Sequence, residues 1–154
     1  MDKKYFEEIY NRHVDTVLKI AIVYLKNQAD AEEVVQETFI KLLNTDKKFN
    51  DYEHEKAWLI TVASNLCKNT LKHSWFKRVI CVDELSQYTM NDTQLGIIED
   101  VLNLPYKYKS VIYLYYYEGY SINELSKILD LKVSTVKSNL HRGRKLLKIK
   151  LEEV

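Results

Sequence analysis

The sequence has 154 residues, with 23 Lys and Arg, 22 Asp and Glu, and a formal net charge of +1. This length allows one domain or two small ones, and a hydrophobic content of 46% is enough for an ordinary globular core. No run of about eighteen apolar residues and no charged-then-apolar leader at Met1 is present, so we expect a cytoplasmic chain without a membrane span or secretory signal.

The polar residues that usually carry catalysis or bind metals are sparse and dispersed. The two cysteines, Cys67 and Cys81, have no further Cys or His at metal-ligand spacing, so we expect reduced thiols and no metal site. The four histidines lie in different segments, without a nucleophile or a glycine-rich phosphate loop beside them. The sequence therefore predicts neither an enzyme nor a cofactor.

The near-neutral net charge conceals alternating blocks of opposite charge. Residues 57–82 carry four Lys or Arg and no acid, and residues 120–150 carry eight against two acids. Residues 1–56 carry nine cations against twelve acids, and residues 83–119 carry two against six. Basic blocks suit nucleic acid and acidic blocks suit a basic protein, so the pattern indicates an adaptor between DNA and another protein.

Apolar residues at helical spacing predict a first, scaffolding helix over residues 2–25 and a second over DAEEVVQETFIKLL, with Asp30 as its N-cap. The second helix has an acidic outer face with an aliphatic centre, formed by Glu33, Gln36, Glu37 and Ile40. Such a face suits a basic helical partner. Alternatively, the acids near Asp30 simply complement the positive end of the helix dipole. The residue types favour neither interpretation.

A polar loop over residues 45–55 should precede a third helix over residues 56–78. The predicted outer face of this helix combines amides, cations and an aromatic ring, in Trp58, Asn65, Lys68, Asn69 and Lys72. Stacking surfaces, hydrogen-bonding amides and cations together are suited to an unpaired DNA strand. The alternative is that the aromatic residues of this segment, Trp58, Trp75 and Phe76, are core residues.

The helical period fades over residues 79–94, which we predict to be a linker between domains 1–78 and 95–154. The second domain should contain a helix that ends before Leu104 and Pro105, and another over residues 106–117. In the latter, we expect the run Tyr115 to Tyr117 to serve packing.

Residues 120–148 have the pattern of a DNA-reading helix-turn-helix. Ser121 and Glu124 form a capping box, residues 130–132 make the turn, and Ser134 is expected to cap the second helix. Val136, Leu140, Gly143 and Leu147 should face inward, with Gly143 allowing close backbone approach. The opposite face carries hydroxyls and cations suited to bases and phosphates: Ser134, Lys137, Ser138, His141, Arg142 and Lys145. A basic helix face can also be merely solvated, but the capped partner helix and short turn favour DNA contact.

The order of these parts resembles the extracytoplasmic-function group of the sigma-70 family, the promoter-recognition subunits of bacterial RNA polymerase. DAEEVVQETFIKLL is similar to the family's second conserved region, AWLITVASNLCKNTL to its promoter-melting helix, and the segment from Leu104 to Leu147 to its last domain. The resemblance implies an all-α protein of two small helical domains joined by a flexible linker. It also implies a role in promoter-specific initiation.

By that resemblance, Glu33, Gln36 and Glu37, around Ile40, contact core polymerase, whose largest-subunit clamp and flap are the expected partners. Asn65 and Asn69, with their neighbours Trp58, Lys68 and Lys72, engage the melted minus-ten element. The double-stranded minus-thirty-five element is read by Thr135, Lys137, Ser138, His141 and Arg142, flanked by Lys145. An anti-sigma factor is a further implied partner. Lys72 and His73 stand where many members have paired arginines, and Asn139 replaces a common arginine in the second helix of the helix-turn-helix; both departures leave the promoter sequence open.

The competing interpretation is a dimeric helix-turn-helix regulator. In that case the N-terminal half would sense a signal or dimerise, and the protein would bind a palindrome without contacting polymerase.

Overall fold

The computed structural model describes residues 1–73 and 99–152. The chain divides into two compact units, Met1–Val79 and Ile80–Val154, and each is described by itself. Within the described ranges all regular secondary structure is helical, as the sequence predicted. The predicted linker, residues 79–94, and the aromatic residues Trp75 and Phe76 lie outside the described residues.

The first unit consists of three mutually packed helices: α1 over Lys3–Leu25, α2 over Gln28–Leu43 and α3 over Tyr52–His73. Helix α1 packs against both others, and it is buried on every side from Ile20 to Leu25. A helix that is apolar all round must be covered all round. The first unit is therefore built around the second half of α1, which leaves the outer faces of α2 and α3 to solvent.

The start of α2 differs from the prediction. The helix begins at Gln28, and its N-cap is Asn27, whose side-chain oxygen accepts a hydrogen bond of 2.8 Å from the Asp30 N–H. Asp30 is therefore not the N-cap: it lies in the first turn of α2, and its backbone N–H is the donor that Asn27 caps. Two residues, Lys26 and Asn27, connect α1 to α2, and Lys26 ends α1 in the left-handed conformation, with φ of 53°. This tight connection leaves no room for a cap at Asp30.

Helix α3 also begins earlier than predicted, at Tyr52 rather than at Lys56. The Asp51 side chain accepts a hydrogen bond of 2.8 Å from the His54 N–H, as an N-cap does. The extra turn carries Glu55 into the core, where it is 4% exposed. Cys67, predicted to be a reduced thiol, is free and fully buried in α3.

The second unit contains helical residues 99–102, then α4 over Tyr106–Tyr116, α5 over Ile122–Leu129 and α6 over Val133–Glu152. Ser121 and Glu124 form the predicted capping box. The three-residue turn, residues 130–132, is also confirmed, and Asp130 takes a left-handed conformation there. Ser134 is not the N-cap of α6, because the helix already begins at Val133.

The stripe that packs α6 into the second unit follows the sequence prediction at three of its four positions, and the fourth, Leu147, is half-buried. Val136 and Leu140 are fully buried, and Gly143 is buried against α4. Helix α6 packs on both α4 and α5, and this leaves its opposite side exposed.

Candidate functional site

The outer face of α2 is a mixed acidic and aliphatic surface. Glu33, Gln36, Glu37 and Ile40 are all exposed, and Ile40 is 54% exposed. The inner side of the same helix is buried and includes Val35, Thr38, Phe39 and Leu42. We refer to Glu33, Gln36, Glu37, Ile40 and Leu43 as the α2 face.

Leu43 belongs to the α2 face although the sequence analysis did not single it out. It is 43% exposed and lies three residues after Ile40, so the two side chains are neighbours on the helix surface. The signal that could have found Leu43 was this spacing. Two adjacent exposed aliphatic side chains in a rim of carboxylates provide a hydrophobic anchor with charge around it.

The dipole interpretation of these acids fails for Glu33 and Glu37. The only acid in the first turn of α2 is Asp30, and the field of a helix terminus falls off within that turn. Glu32 has a local role as well, since it accepts a hydrogen bond of 3.0 Å from the Gln28 amide. The helix dipole therefore does not account for the carboxylates of Glu33 and Glu37.

The outer side of α3 presents the predicted amides and one predicted cation to solvent. Asn65, Asn69 and Lys72 are exposed, and Lys68 is half-buried. The hydroxyls of Thr61 and Thr70 donate to the carbonyls of Ala57 and Leu66 one turn earlier, so they are engaged by their own helix. The hydrogen-bonding capacity of this surface consequently lies in its amides and ammonium groups.

Trp58 is neither a fully buried core residue nor a fully exposed one. It is half-buried, and its ring centroid lies 5.7 Å from that of Phe49 in the preceding loop. Phe49 in turn contacts His54 edge-on at 5.3 Å. Trp58 is thus held by an aromatic cluster beneath it, while part of its ring remains accessible beside the amides.

The exposed side of α6 is the surface that the sequence predicted. The side chains of Lys137, Ser138, His141, Arg142 and Lys145 are exposed, and so is Ser134 in the first turn. Thr135 is half-buried. These positions fall on one side of the second helix of a helix-turn-helix, which is the helix that enters the major groove in such motifs.

Arg142 also makes a contact within the protein. Its guanidinium hydrogen-bonds to the phenolic oxygen of Tyr108 on α4, and this interaction lowers the pKa of Tyr108, partly opposed by burial of the phenol. The Lys107 ammonium, 5.0 Å above the Tyr108 ring, acts in the same direction. A guanidinium has five N–H donors, so a contact with one phenol leaves donors for a DNA partner.

A buried polar cluster in the first unit was missed by the sequence analysis, which treated the histidines as dispersed. His13 on α1 is fully buried, and its Nε2 lies 2.8 Å from Glu55 Oε1 on α3. Arg12 reaches the same carboxylate oxygen at 2.8 Å, and the Tyr52 ring lies 4.8 Å from the imidazole. This cluster joins the start of α3 to α1, far from the α2 face in sequence.

Within residues 1–73 and 99–152, no group of three or more His, Cys, Asp or Glu side chains is placed to hold a metal ion. None of the helices described in those ranges is both long and apolar enough to cross a bilayer.

The fold and these exposed faces define a class of all-helical proteins that pair a three-helix unit with a helix-turn-helix unit. Residues 9–76 match the family model described as Sigma-70 region 2, and residues 98–147 match Sigma-70, region 4. The chain is 30% identical over 146 residues to the RNA polymerase sigma factor SigV of Bacillus subtilis, covering 90% of this chain and 86% of SigV. The chain therefore belongs to the sigma-70 family of RNA polymerase sigma factors, in its extracytoplasmic-function group.

Other relatives agree with this membership. The ECF RNA polymerase sigma factor SigW of Bacillus subtilis is 26% identical over 172 residues, covering 99% of this chain and 92% of SigW. Among solved structures, the sigma factor RpoE in complex with the anti-sigma factor NepR, from Bartonella quintana, superposes with a TM-score of 0.79 at 22% identity. That alignment covers 97% of this chain and 98% of RpoE, and it shows a shared fold.

Proposed function

We propose that this chain binds core RNA polymerase through the α2 face and directs promoter-specific initiation of transcription from the cytoplasm. The observation that carries the proposal is the exposure, in one chain, of three chemically distinct surfaces on two sigma-family units: the acidic-aliphatic α2 face, the amide-rich side of α3, and the basic side of α6. Each surface suits a different partner.

In this proposal the α2 face docks on the clamp of the largest polymerase subunit. Ile40 and Leu43 supply the apolar contact, and Glu33 and Glu37 supply charge complementarity to a basic helical partner. The second unit additionally meets the polymerase flap.

The DNA is divided between the other two surfaces. Asn65, Asn69 and Lys72 engage the bases and backbone of the melted minus-ten element, and the exposed side of α6 reads the minus-thirty-five element as duplex. Capture of unstacked bases offsets the few kcal/mol that unpairing a base step costs. Docking on polymerase then presents both DNA surfaces at high effective concentration. In this scheme the chain contributes binding free energy, and the polymerase performs the chemistry.

An anti-sigma factor is part of the same proposal. Membership of the extracytoplasmic-function group supports it, and RpoE of Bartonella quintana was solved with such a protein bound. The competing scheme, a dimeric regulator that never contacts polymerase, is disfavoured because the match to Sigma-70 region 2 occupies the half of the chain that would have to serve sensing or dimerisation.

Reconstituted transcription tests the proposal. The purified chain, mixed with core polymerase and a supercoiled promoter library, should generate transcript starts that core polymerase alone does not produce. If the pattern of starts is the same with and without the chain, the proposed function is wrong.

Glu37→Lys tests the placement of the polymerase contact. Reversing one charge in the α2 face should lower capture by core polymerase about tenfold or more, the equivalent of ~1.4 kcal/mol, while the circular dichroism and melting temperature stay unchanged because Glu37 is exposed. Glu8→Lys, the same charge reversal at an exposed site on α1, is the matched control and should bind normally. Normal capture by Glu37→Lys would contradict the α2 face as the docking surface.

A further inference from the structure

Helices α4 and α6 touch at a point where α6 has no room for a side chain. A Cβ added to Gly143 would lie 3.0 Å from Ile112 Cγ1, closer still to Ile112 Cδ1, and 3.4 Å from Tyr108 Cβ. The α6 backbone therefore rests directly on the side chains of α4. Because glycine has no side chain to interlock with α4, this contact by itself does little to fix the rotation of α6 about its own axis.

Arg144, the next residue, makes a directional contact with α4. Its Nε donates a hydrogen bond of 2.5 Å to the Tyr116 hydroxyl. Its guanidinium carbon lies 5.5 Å from the centroid of the Tyr116 ring and 5.7 Å from that of Tyr115. The two rings pack edge to face, with centroids 4.9 Å apart. Arg144 is thus bound by one charge-assisted hydrogen bond and two cation–π contacts.

The position of Arg144 on α6 means that its contact with Tyr116 opposes rotation of α6 about its own axis. Arg144 follows Lys137 by seven residues and His141 by three, so it borders the exposed side of α6 along its length. Arg142 on that side reaches α4 at Tyr108, and the guanidinium of Arg144 reaches α4 at Tyr116, about two turns further along α4. Rotation of α6 about the Gly143 contact would break the Tyr116 hydrogen bond.

We propose that Arg144 and Tyr116 are positioning residues that fix the rotation of α6 against α4, so that the DNA-reading side chains of α6 meet base edges in register. This inference rests on the proposed function, since it assumes that α6 reads duplex DNA. It assigns Arg144 a role other than DNA contact, although Arg144 is a cation in the recognition helix.

Discrimination between base pairs is the property that such a contact controls. Hydrogen bonds to base edges depend on the placement of the donor, whereas contacts to phosphates tolerate displacement. A loosened α6 should therefore lose part of its preference at several base pairs at once, while its attraction to DNA in general persists.

The test uses the full chain assembled with core polymerase and a duplex pool randomised over the upstream element. Selection with the unaltered chain defines the preferred element. Dissociation constants are then measured for that element and for its single-base variants. Tyr116→Phe removes only the hydrogen-bond acceptor, and Arg144→Met removes the guanidinium but keeps an unbranched side chain over the rings. Tyr10→Phe, which removes an exposed phenol from the first unit, is the control.

Tyr116→Phe and Arg144→Met should each lower the ratio between variant and preferred dissociation constants by about two- to fivefold at several positions, the scale of an exposed cation–π or hydrogen-bonding contact. The double substitution should lower this ratio no further than Arg144→Met alone, because the two substitutions disrupt the same contact between Arg144 and Tyr116. The dependence of binding on salt should stay unchanged. The ratio of two constants does not depend on the fraction of folded protein, so a loss of stability alone would not move it.

Two results would overturn the inference. One is unchanged discrimination in both variants. The other is a salt slope lowered by about one in Arg144→Met but not in Tyr116→Phe, which would mean that Arg144 contacts a phosphate directly. Failure of the proposed function would look different, since the unaltered chain would then select no upstream element from the pool.

Discussion

Gly143 illustrates how a single position sets how closely α6 approaches α4. A glycine in the middle of a helix costs about 1 kcal/mol relative to alanine, and the side chain of Ile112 occupies the space that a Cβ would need. Ile112 is 2% exposed, so it cannot move aside into solvent. Close packing of α4 against α6 therefore accounts for a residue that helix propensity disfavours.

Gly143→Ala should destabilise the second unit by about 1 kcal/mol, because overpacking costs of about 1–3 kcal/mol outweigh the gain in helix propensity. Thermal unfolding followed by circular dichroism measures the change. In an Ile112→Val background, which removes the clashing Cδ1, the same substitution should be neutral or stabilising. A Gly143→Ala protein as stable as the parent would contradict the close packing of Ile112 against Gly143.

The buried cluster of the first unit is a second residue-scale case. Glu55 and His13 are 42 positions apart, yet they form a buried hydrogen bond, and Arg12 completes the pairing of the same carboxylate. A buried carboxylate is tolerated only when it is paired and hydrogen-bonded. In the sequence, Glu55 stands in a run of polar residues that suggests a surface, whereas His13 lies four residues after Ile9 and four before Val17, on the apolar stripe of α1.

At the scale of the element, the start of α2 is decided by the length of its connection to α1, since local capping chemistry allows more than one start. Asn27 and Asp30 are both favourable N-cap residues. The two-residue connection after α1 selects Asn27, because α2 must start immediately to pack against both α1 and α3.

Asn27→Ala should lower the free energy of unfolding by about 1 kcal/mol, the usual cost of removing an N-cap side chain. Asp30→Ala is the matched comparison. It keeps the N–H that Asn27 caps and loses only a charge near the helix terminus, so it should cost no more than about 0.3–1 kcal/mol. Chemical denaturation of both variants gives their free energies of unfolding. A larger loss of stability for Asp30→Ala than for Asn27→Ala would reverse the assignment of the cap.

At the scale of the whole molecule, the proposed division of labour places the two DNA contacts on separate units. The amides of α3 belong to the first unit and the basic side of α6 to the second. Substitutions in the two units should therefore affect different forms of the promoter.

Asn69→Ala should weaken holoenzyme binding to a premelted promoter that lacks the upstream element, because it removes an exposed amide proposed to contact unpaired bases. Arg142→Ala should leave that binding intact and should cost about 1–3 kcal/mol on the upstream duplex if Arg142 reads a base. Equilibrium binding to the two DNA forms measures both effects. Equal losses on both forms for either variant would contradict the division.

The sequence by itself determined the helices, the turn of the helix-turn-helix, the capping box at Ser121 and the exposed sides of α2 and α6. Apolar spacing and capping chemistry act over a few residues, so they can be read directly from the order of residue types. The resemblance to the sigma-70 family, carried by the same segments, was confirmed by the matches to regions 2 and 4.

The tertiary structure alone decided which of two caps starts α2, that α3 begins at Tyr52, that Glu55 is buried against His13, and that Arg144 turns back onto Tyr116. The two side-chain contacts join residues that are 42 positions apart, in the case of His13 and Glu55, and 28 positions apart, in the case of Tyr116 and Arg144. A local pattern specifies which face of a helix is apolar, but the partner of a particular polar side chain is fixed only when the helices pack together. Leu43 illustrates the same limit, since it counts as an exposed anchor only because the helices around α2 leave it uncovered.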